Sequence, residues 1–130
     1  MVADGSGTLY VVWAEDDAAG VGSVYVKSWT TDWTLMGAGM ANGGGDASRP
    51  SIAIIDGTPW IAYQEGDGTR EAVQVRRWSG SGWERVGNPL NMSITEDGLW
   101  PDIVGIGGVP YVAFRENESG AYRVYVKTFP

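Results

Sequence analysis

The amino-acid sequence predicts an all-β protein that is built from one repeated unit of about fifty residues. One phrase occurs three times with matching apolar, aromatic and acidic positions, at residues 7–15, 57–65 and 108–116. A second phrase follows each copy, at residues 24–29, 73–78 and 124–129. Helical periodicity is absent throughout, and Gly, Asp, Asn and Ser separate the short apolar runs, as they do between strands.

The complete middle unit contains four predicted strands, at residues 50–56, 59–65, 72–78 and 82–87. Four short antiparallel strands in about fifty residues are typical of the blade of a β-propeller. We expect the units to span residues 1–49, 50–100 and 101–130. The connections at 39–48 and 88–99 should carry the chain to the next blade, and each ends just before a proline, Pro50 or Pro101.

Side-chain alternation supports blades that are packed on both faces. Along the second strand of each unit both faces are largely apolar, which suits a sheet with a neighbour on either side. Three pairs of valines repeat on one face of the third strand: Val24/Val26, Val73/Val75 and Val124/Val126. Four tryptophans at blade positions are expected to pack in the core: Trp13, Trp29, Trp60 and Trp78.

The repeat is incomplete at both ends of the sequence. Seven residues precede the second strand of the first unit, and the third unit ends without its outer strand. Propellers usually close with four to eight blades, so nearly three blades predict a ring completed by homo-oligomerisation. A homodimer would give about six blades and a homotrimer about nine. The third alternative is a fragment of a larger propeller.

Composition excludes several classes of function. The chain has 130 residues, of which 43% are hydrophobic, and a net charge of −7, so it should not bind nucleic acid. Cysteine and histidine are both absent, which removes disulfides, thiolate or imidazole metal sites and Ser-His catalysis. We therefore predict no metal and no cofactor. No apolar run or N-terminal pattern predicts a membrane span or an export signal.

Residues 78–87 (WSGSGWERVG) and their weaker counterpart at 29–37 resemble a hairpin of bacterial repetitive β-propellers. They are also similar to blades of fucose-binding and related propeller lectins, and to the Asp-box hairpin of sialidase-like propellers. The Asp-box aspartate and threonine are missing, so a sialidase activity is not implied. Small sugar lectins of this kind build one ring from several short chains, and the resemblance implies such a ring.

Six residues are candidates for ligand binding. Three carboxylates close the second strands of the units and could accept hydrogen bonds from sugar hydroxyls: Glu15, Glu65 and Glu116. Trp33 and Trp83, on the predicted outermost strands, could stack on sugar rings, with Arg77 as a nearby donor. The alternative is that the carboxylates cap turns and that the tryptophans pack between blades.

The sequence thus favours a non-enzymatic repeat propeller that binds carbohydrate as an oligomeric ring. Paired carboxylates could act on a glycosidic bond only if one had a raised pKa in an apolar pocket. Every acid lies in a Gly-rich turn by sequence, so we predict no enzyme and no catalytic residue. The alternative function is a structural or protein-interaction propeller, or a self-assembling propeller fragment with no ligand of its own.

Overall fold

The computed structural model describes residues 1–129. Eleven strands run along these residues: β1 (Val2–Ala3), β2 (Leu9–Asp16), β3 (Gly22–Trp29), β4 (Trp33–Leu35), β5 (Asp46–Ile55), β6 (Thr58–Gly66), β7 (Glu71–Trp78), β8 (Trp83–Arg85), β9 (Gly98–Ile106), β10 (Val109–Glu118) and β11 (Ala121–Thr128). They form three antiparallel sheets in chain order, β1–β4, β5–β8 and β9–β11. The predicted all-β propeller segment of nearly three four-stranded blades is confirmed, and the third sheet has three strands among the described residues.

The inner strands of the second and third sheets start earlier than the sequence predicts. β5 begins at Asp46 rather than at Pro50, and β9 begins at Gly98 rather than near Pro101. The reason is a β-bulge in each strand, where the register shifts around the proline. Proline cannot donate to a strand ladder, so the bulge leaves it unpaired and the ladder resumes on its N-terminal side. The connections between blades, residues 36–45 and 86–97, keep the expected lengths but lie two or three residues earlier, because β4 and β8 end at Leu35 and Arg85.

The turn between the first two strands of the second sheet has the chemistry that the sequence predicts. Asp56 and Gly57 both adopt positive φ, 48° and 74°. Two successive positive φ values define the tight hairpin turn whose twist matches that of its strands. This turn fixes the register of β5 against β6, with Ile55 opposite Thr58.

We call the two faces of each sheet front and rear. In the second sheet the front face points toward the first sheet and the rear face toward the third, and the equivalent faces of the other sheets carry the same names. The rear face of the first sheet packs on the front face of the second, with Val24, Val26, Ile61 and Tyr63 at its centre. The rear face of the second sheet packs on the front face of the third through the following core residues: Ala53, Ile55, Val73, Val75, Ile103, Val112 and Phe114. The core therefore lies between blades, as in a propeller.

Gly105 allows the third sheet to approach the second closely. A Cβ atom added at Gly105 would lie 2.7 Å from Cγ1 of Ile55, well inside van der Waals contact. A larger residue there would push the two sheets apart. None of the described residues forms a helix that is long and apolar enough to cross a membrane.

Candidate functional site

A cavity of about 420 Å³ lies between the second and third sheets, beside the turn that joins β5 to β6. Two tryptophans, Trp60 and Trp78, contribute aromatic surface, and Arg77, Glu84 and Asp56 contribute charged groups. The cavity is open to solvent and its lining is mixed polar and apolar. Its volume lies within the range of small-molecule sites in proteins.

The register of the second sheet places three of these side chains in one row. Trp60 on β6 lies opposite Arg77 on β7, and Arg77 lies opposite Glu84 on β8. Side chains directly opposite each other in neighbouring strands share a face, so the row presents an indole, a guanidinium and a carboxylate together. Arg77 Nη2 lies 3.5 Å from Glu84 Oε2, and both side chains are about half exposed. Such a pair contributes little to stability, but it orients its donors and acceptors.

Asp56 and Gly108 form the part of the wall that belongs to both blades. A Cβ atom at Gly108 would lie 2.5 Å from Asp56 Oδ2, so only glycine lets the turn of the third sheet approach the carboxylate this closely. Gly108 also has a φ of 79°, which glycine adopts readily. The site therefore depends on the contact between two blades rather than on one sheet.

This arrangement suits a neutral, hydroxyl-rich ligand. The guanidinium of Arg77 donates hydrogen bonds, the carboxylates of Glu84 and Asp56 accept them, and the hydroxyls of Thr58 and Ser79 do both. Flat aromatic surface beside such groups matches a sugar ring, which has apolar C–H faces and a polar rim.

The predicted aromatic candidates do not join this cavity. Trp83 packs in the interface between the first and second sheets, and its indole N–H donates to the carbonyl of Met36 at 3.3 Å. Trp33 is 41% exposed and its ring lies 5.4 Å from that of Trp29, on the outer strand of the first sheet. Of the six candidates, Arg77 alone lines the cavity.

Two of the three predicted carboxylates bind backbone amides of the connections between blades. Glu65 Oε1 accepts hydrogen bonds from the N–H groups of Gly43 (2.9 Å) and Gly45 (3.0 Å). Glu116 is fully buried and accepts from the N–H groups of Met92 (2.7 Å) and Ser93 (2.6 Å). These contacts match the alternative weighed from the sequence, in which the acids cap loops.

Glu15 occupies the same repeat position, but its surroundings differ. It is exposed, and its carboxylate accepts a hydrogen bond from the indole N–H of Trp13 at 3.1 Å. No connection from a preceding blade lies over it in the described residues. Its carboxylate is therefore available to solvent.

Sequence reasoning missed the contribution of Glu84 and Asp56 to the cavity, and it assigned Trp60 and Trp78 to the core. The two tryptophans are half-buried and serve both roles, because each packs at the edge of a core cluster while lining the cavity. The cross-strand register of β6, β7 and β8 was the available signal. The contact of Gly108 with Asp56 has no counterpart in a strand pattern.

A second cavity, of about 360 Å³, is lined by three acidic residues that begin or precede different strands: Asp46 (β5), Glu71 (β7) and Asp97 (before β9). Burial raises the pKa of the Glu71 carboxyl, and the negative charges of Asp46 and Asp97 add to the effect. Glu71 Oε2 is buried without a hydrogen-bond partner. Within residues 1–129 no group of acidic side chains is arranged to hold a metal ion.

No protein-family model matches the chain, and no curated protein matches it. Among solved structures, the chain is similar to an alpha-L-arabinofuranosidase from Lactobacillus brevis, with a TM-score of 0.62 and 17% sequence identity. The similarity covers 100% of this chain and 51% of the other, so the chain spans about half the length of that protein. At this identity the likeness shows the fold, and the chain is an all-β, propeller-like segment with a cavity between two blades.

Proposed function

We propose that the chain is a non-enzymatic carbohydrate-binding module that works as a ring of several copies. The observation that carries the binding function is the row of Trp60, Arg77 and Glu84 across three neighbouring strands, facing one cavity. An aromatic surface next to a fixed donor and a fixed acceptor recognises a sugar ring by stacking and by hydrogen bonding. The resemblance of the blades to propeller lectins supports the same class of ligand, as does the likeness in fold to a protein named as an arabinofuranosidase.

The unpartnered rear face of the third sheet supports the ring. Four apolar side chains on this face are largely exposed: Val104 (52%), Ile106 (61%), Val124 (76%) and Val126 (64%). Isolated apolar side chains are common on protein surfaces, but a contiguous apolar sheet face marks an interaction surface. The same positions of the second sheet are covered by the next blade.

The occupant that fits this face is the front face of the first sheet of a second copy. Front faces of the second and third sheets already cover rear faces within this chain, so the same kind of contact would continue between chains. The first sheet presents Val11, Trp13 and Trp29 on its front face, where the second sheet presents Ile61, Tyr63 and Trp78. Repetition of this head-to-tail contact closes a ring. A homodimer of about six blades is the leading assembly, and a homotrimer of about nine is the alternative.

An array of immobilised glycans tests the binding function, with matched single-residue variants. Arg77→Gln and Glu84→Gln remove the donor and the acceptor charge of the row, whereas Arg85→Gln changes an exposed arginine next to Glu84 that points to the opposite face. We expect the native chain and Arg85→Gln to bind the same immobilised glycans, and Arg77→Gln and Glu84→Gln to bind none of them. Full retention by Arg77→Gln would contradict the site.

The same experiment distinguishes carbohydrate binding from the alternative function. That alternative is a structural or protein-interaction propeller, or a fragment with no ligand of its own. If the native chain is assembled at the concentration used and retains no glycan, the carbohydrate hypothesis fails and this alternative replaces it. Assembly is verified on the same sample by light scattering.

Hydrolysis of a glycosidic bond is a second candidate, favoured by one observation: the raised pKa of Glu71 beside two aspartates. A glycosidase pairs such an acid with a second carboxylate that is free to act. Here Asp46 accepts a hydrogen bond from the backbone N–H of Gly22 (2.8 Å), and Asp97 accepts one from the backbone N–H of Glu71 (2.7 Å). Both aspartates are therefore engaged with the backbone rather than free to act. We expect no turnover of nitrophenyl glycosides by the native chain. Turnover that Glu71→Gln abolishes would overturn the non-enzymatic proposal.

A further inference from the structure

Two arginines and an exposed tryptophan meet beside the inner strands, at the opposite end of β5 and β9 from the cavity. The guanidinium carbon of Arg49 lies 3.5 Å from the centre of the Trp100 ring, and that of Arg115 lies 5.1 Å from the same centre. Arg115 also lies 4.1 Å from the ring centre of Tyr122. Trp100 and Tyr122 are 50% and 58% exposed in the single chain. We call these four residues the arginine cluster.

Tyr122 and Arg115 lie at one end of the rear face of the third sheet, next to Val124. The inner strand of the first sheet, Val2–Ala3, has no segment equivalent to residues 46–51, so the ring contact proposed above leaves this end of the face uncovered.

The two β-bulges build the arginine cluster. Arg49 and Trp100 occupy the same repeat position, immediately before Pro50 and Pro101, and both have positive φ, 51° and 56°. Such a backbone conformation is strained in a residue other than glycine and persists where the surrounding structure enforces it. The backbone N–H of Trp100 donates a hydrogen bond to Oε1 of the buried Gln64 at 3.1 Å, and this bond holds the bulge in place.

Arg115 occupies the repeat position of Ala14 and Gln64, so the cluster is a point at which the copies differ. In place of an amide that binds a backbone N–H, the third sheet has a cation at this position of β10. The ion pairs within residues 1–129 are Arg77–Glu84 and Arg123–Glu118, and neither involves Arg49 or Arg115. Nε of Arg115 is buried without a hydrogen-bond partner.

Stacking on an aromatic ring uses the face of a guanidinium and leaves its edge donors free. Two cations held on one indole repel each other, and an anion between them would relieve that repulsion. The chain as a whole has a net charge of −7, but charges farther away than about 8 Å are screened at physiological salt. Local geometry therefore decides which ligand binds here.

We propose that the arginine cluster binds the carboxylate of an acidic sugar, a hexuronate unit of a glycan. A planar carboxylate matches the fork of guanidinium donors in bidentate geometry. Two residues farther along the inner strands, the hydroxyl of Ser51 donates to Oδ1 of Asp102 at 2.6 Å. Asp102 is an exposed acceptor for sugar hydroxyls, so a ligand with both an acid group and hydroxyls fits better than a simple anion.

This inference rests on the proposed carbohydrate binding and adds a ligand class, but it uses residues outside the cavity. The two sites lie at opposite ends of the inner strands and share no residue. Variants of Arg77 and variants of the arginine cluster therefore report on the two proposals separately. Acidic binding that survives Arg77→Gln supports the inference even if the neutral cavity has no ligand.

The test is a titration followed by the indole N–H signals in two-dimensional NMR, with the Trp100 signal assigned from its absence in Trp100→Phe. The probes are methyl glucuronide, the matched methyl glucoside, a glucose 6-sulfate, acetate and a short acidic peptide. We expect methyl glucuronide to shift the Trp100 signal in a saturable manner. Arg49→Gln and Arg115→Gln should weaken its binding about tenfold or more, and Arg85→Gln should not.

Arg115→Gln introduces the side chain that the second sheet has at this repeat position. Arg49→Gln replaces one residue other than glycine with another at positive φ, so neither variant adds backbone strain. The inference is overturned if methyl glucuronide leaves the Trp100 signal unchanged, or if the glucoside shifts it equally. Tighter binding of the sulfate would replace the carboxylate with a sulfate ester. Equal binding of acetate or the peptide would show a general anion site rather than one for an acidic sugar.

Discussion

The rear faces of the second and third sheets have nearly the same residues and opposite surroundings. On the second sheet, Ala53, Ile55, Val73 and Val75 are between 0% and 8% exposed. At the same repeat positions of the third sheet, Val104, Ile106, Val124 and Val126 are between 52% and 76% exposed. The residue types do not account for this difference in exposure. A following sheet covers the rear face of the second sheet, and none covers that of the third among the described residues.

The comparison shows that every unit of the repeat encodes both halves of a contact between blades. An apolar rear face stabilises the protein only when a front face covers it, because burial of apolar surface is the main source of stability. A variant on the covered face therefore tests folding, and a variant on the exposed face tests the proposed assembly. Variants on covered and uncovered parts of the sheets separate these two effects.

The largest effect is expected from a charge on the covered face. Val75→Asp would bury a carboxylate without a partner, at a cost of several kcal/mol, which is comparable with the stability of a small domain. Val126→Asp places the same charge on the exposed face, where water solvates it. We expect circular dichroism to show an unfolded Val75→Asp chain and a folded Val126→Asp chain. Similar melting curves for the two variants would contradict the comparison.

A smaller effect is expected from the front faces of the second and first sheets. Trp78 packs against the core cluster between the first two sheets, so Trp78→Ala should cost about 3 kcal/mol in urea denaturation. Trp13 lies on the uncovered front face and stacks on Tyr25 with ring centres 5.6 Å apart. Trp13→Ala should cost about 1 kcal/mol in dilute, unassembled protein. An equal cost for both would mean that the front face of the first sheet is also covered.

The carboxylates at the ends of the second strands give a third pair. Glu65→Ala removes the acceptor of two backbone N–H groups in the preceding connection and should cost about 2 kcal/mol. Glu15 has no such connection, so Glu15→Ala should change the free energy of unfolding by no more than about 0.5 kcal/mol. Hydrogen exchange at the amides of Gly43 and Gly45 should accelerate in Glu65→Ala alone. Unchanged exchange there would remove the loop-anchoring role.

The smallest effect concerns the pH dependence of Glu71. Its pKa is raised in the folded chain by burial and by Asp46 and Asp97, so the folded state holds this proton more tightly than the unfolded state. Stability from this group is present at low pH and is lost as the pH rises from 4.5 through the raised pKa. Glu71→Gln should therefore melt at a higher temperature than the native chain at pH 7, with the difference vanishing near pH 4. A difference that is independent of pH would contradict this assignment.

Much of the fold could be predicted from the sequence because the repeat and the two-residue alternation are local signals. The positions of Val24, Val26, Val73 and Val75 in the core follow from the strand pattern, and the structure buries all four. The start of β5 did not follow, because Pro50 reads as a strand boundary and a bulge that absorbs it depends on pairing with β6.

The site was less accessible to sequence reasoning. Arg77 was predicted and lies in the cavity, but the cavity also needs Asp56 and Gly108, which come together only when two blades pack. Glu65 and Glu116 were candidates because they repeat. Their repetition reflects a common contact with the preceding connection, which a pattern of residue types does not distinguish from a binding role.

The mass of the native chain in solution, measured by light scattering over a range of concentrations, tests most directly whether an uncovered rear face seeks a second copy. The account predicts a mass that rises with concentration to a closed assembly of two chains, or of three, each of 13.9 kDa. Val126→Asp should remain a folded monomer under the same conditions. A native chain that stays monomeric and well dispersed at every concentration would contradict the account.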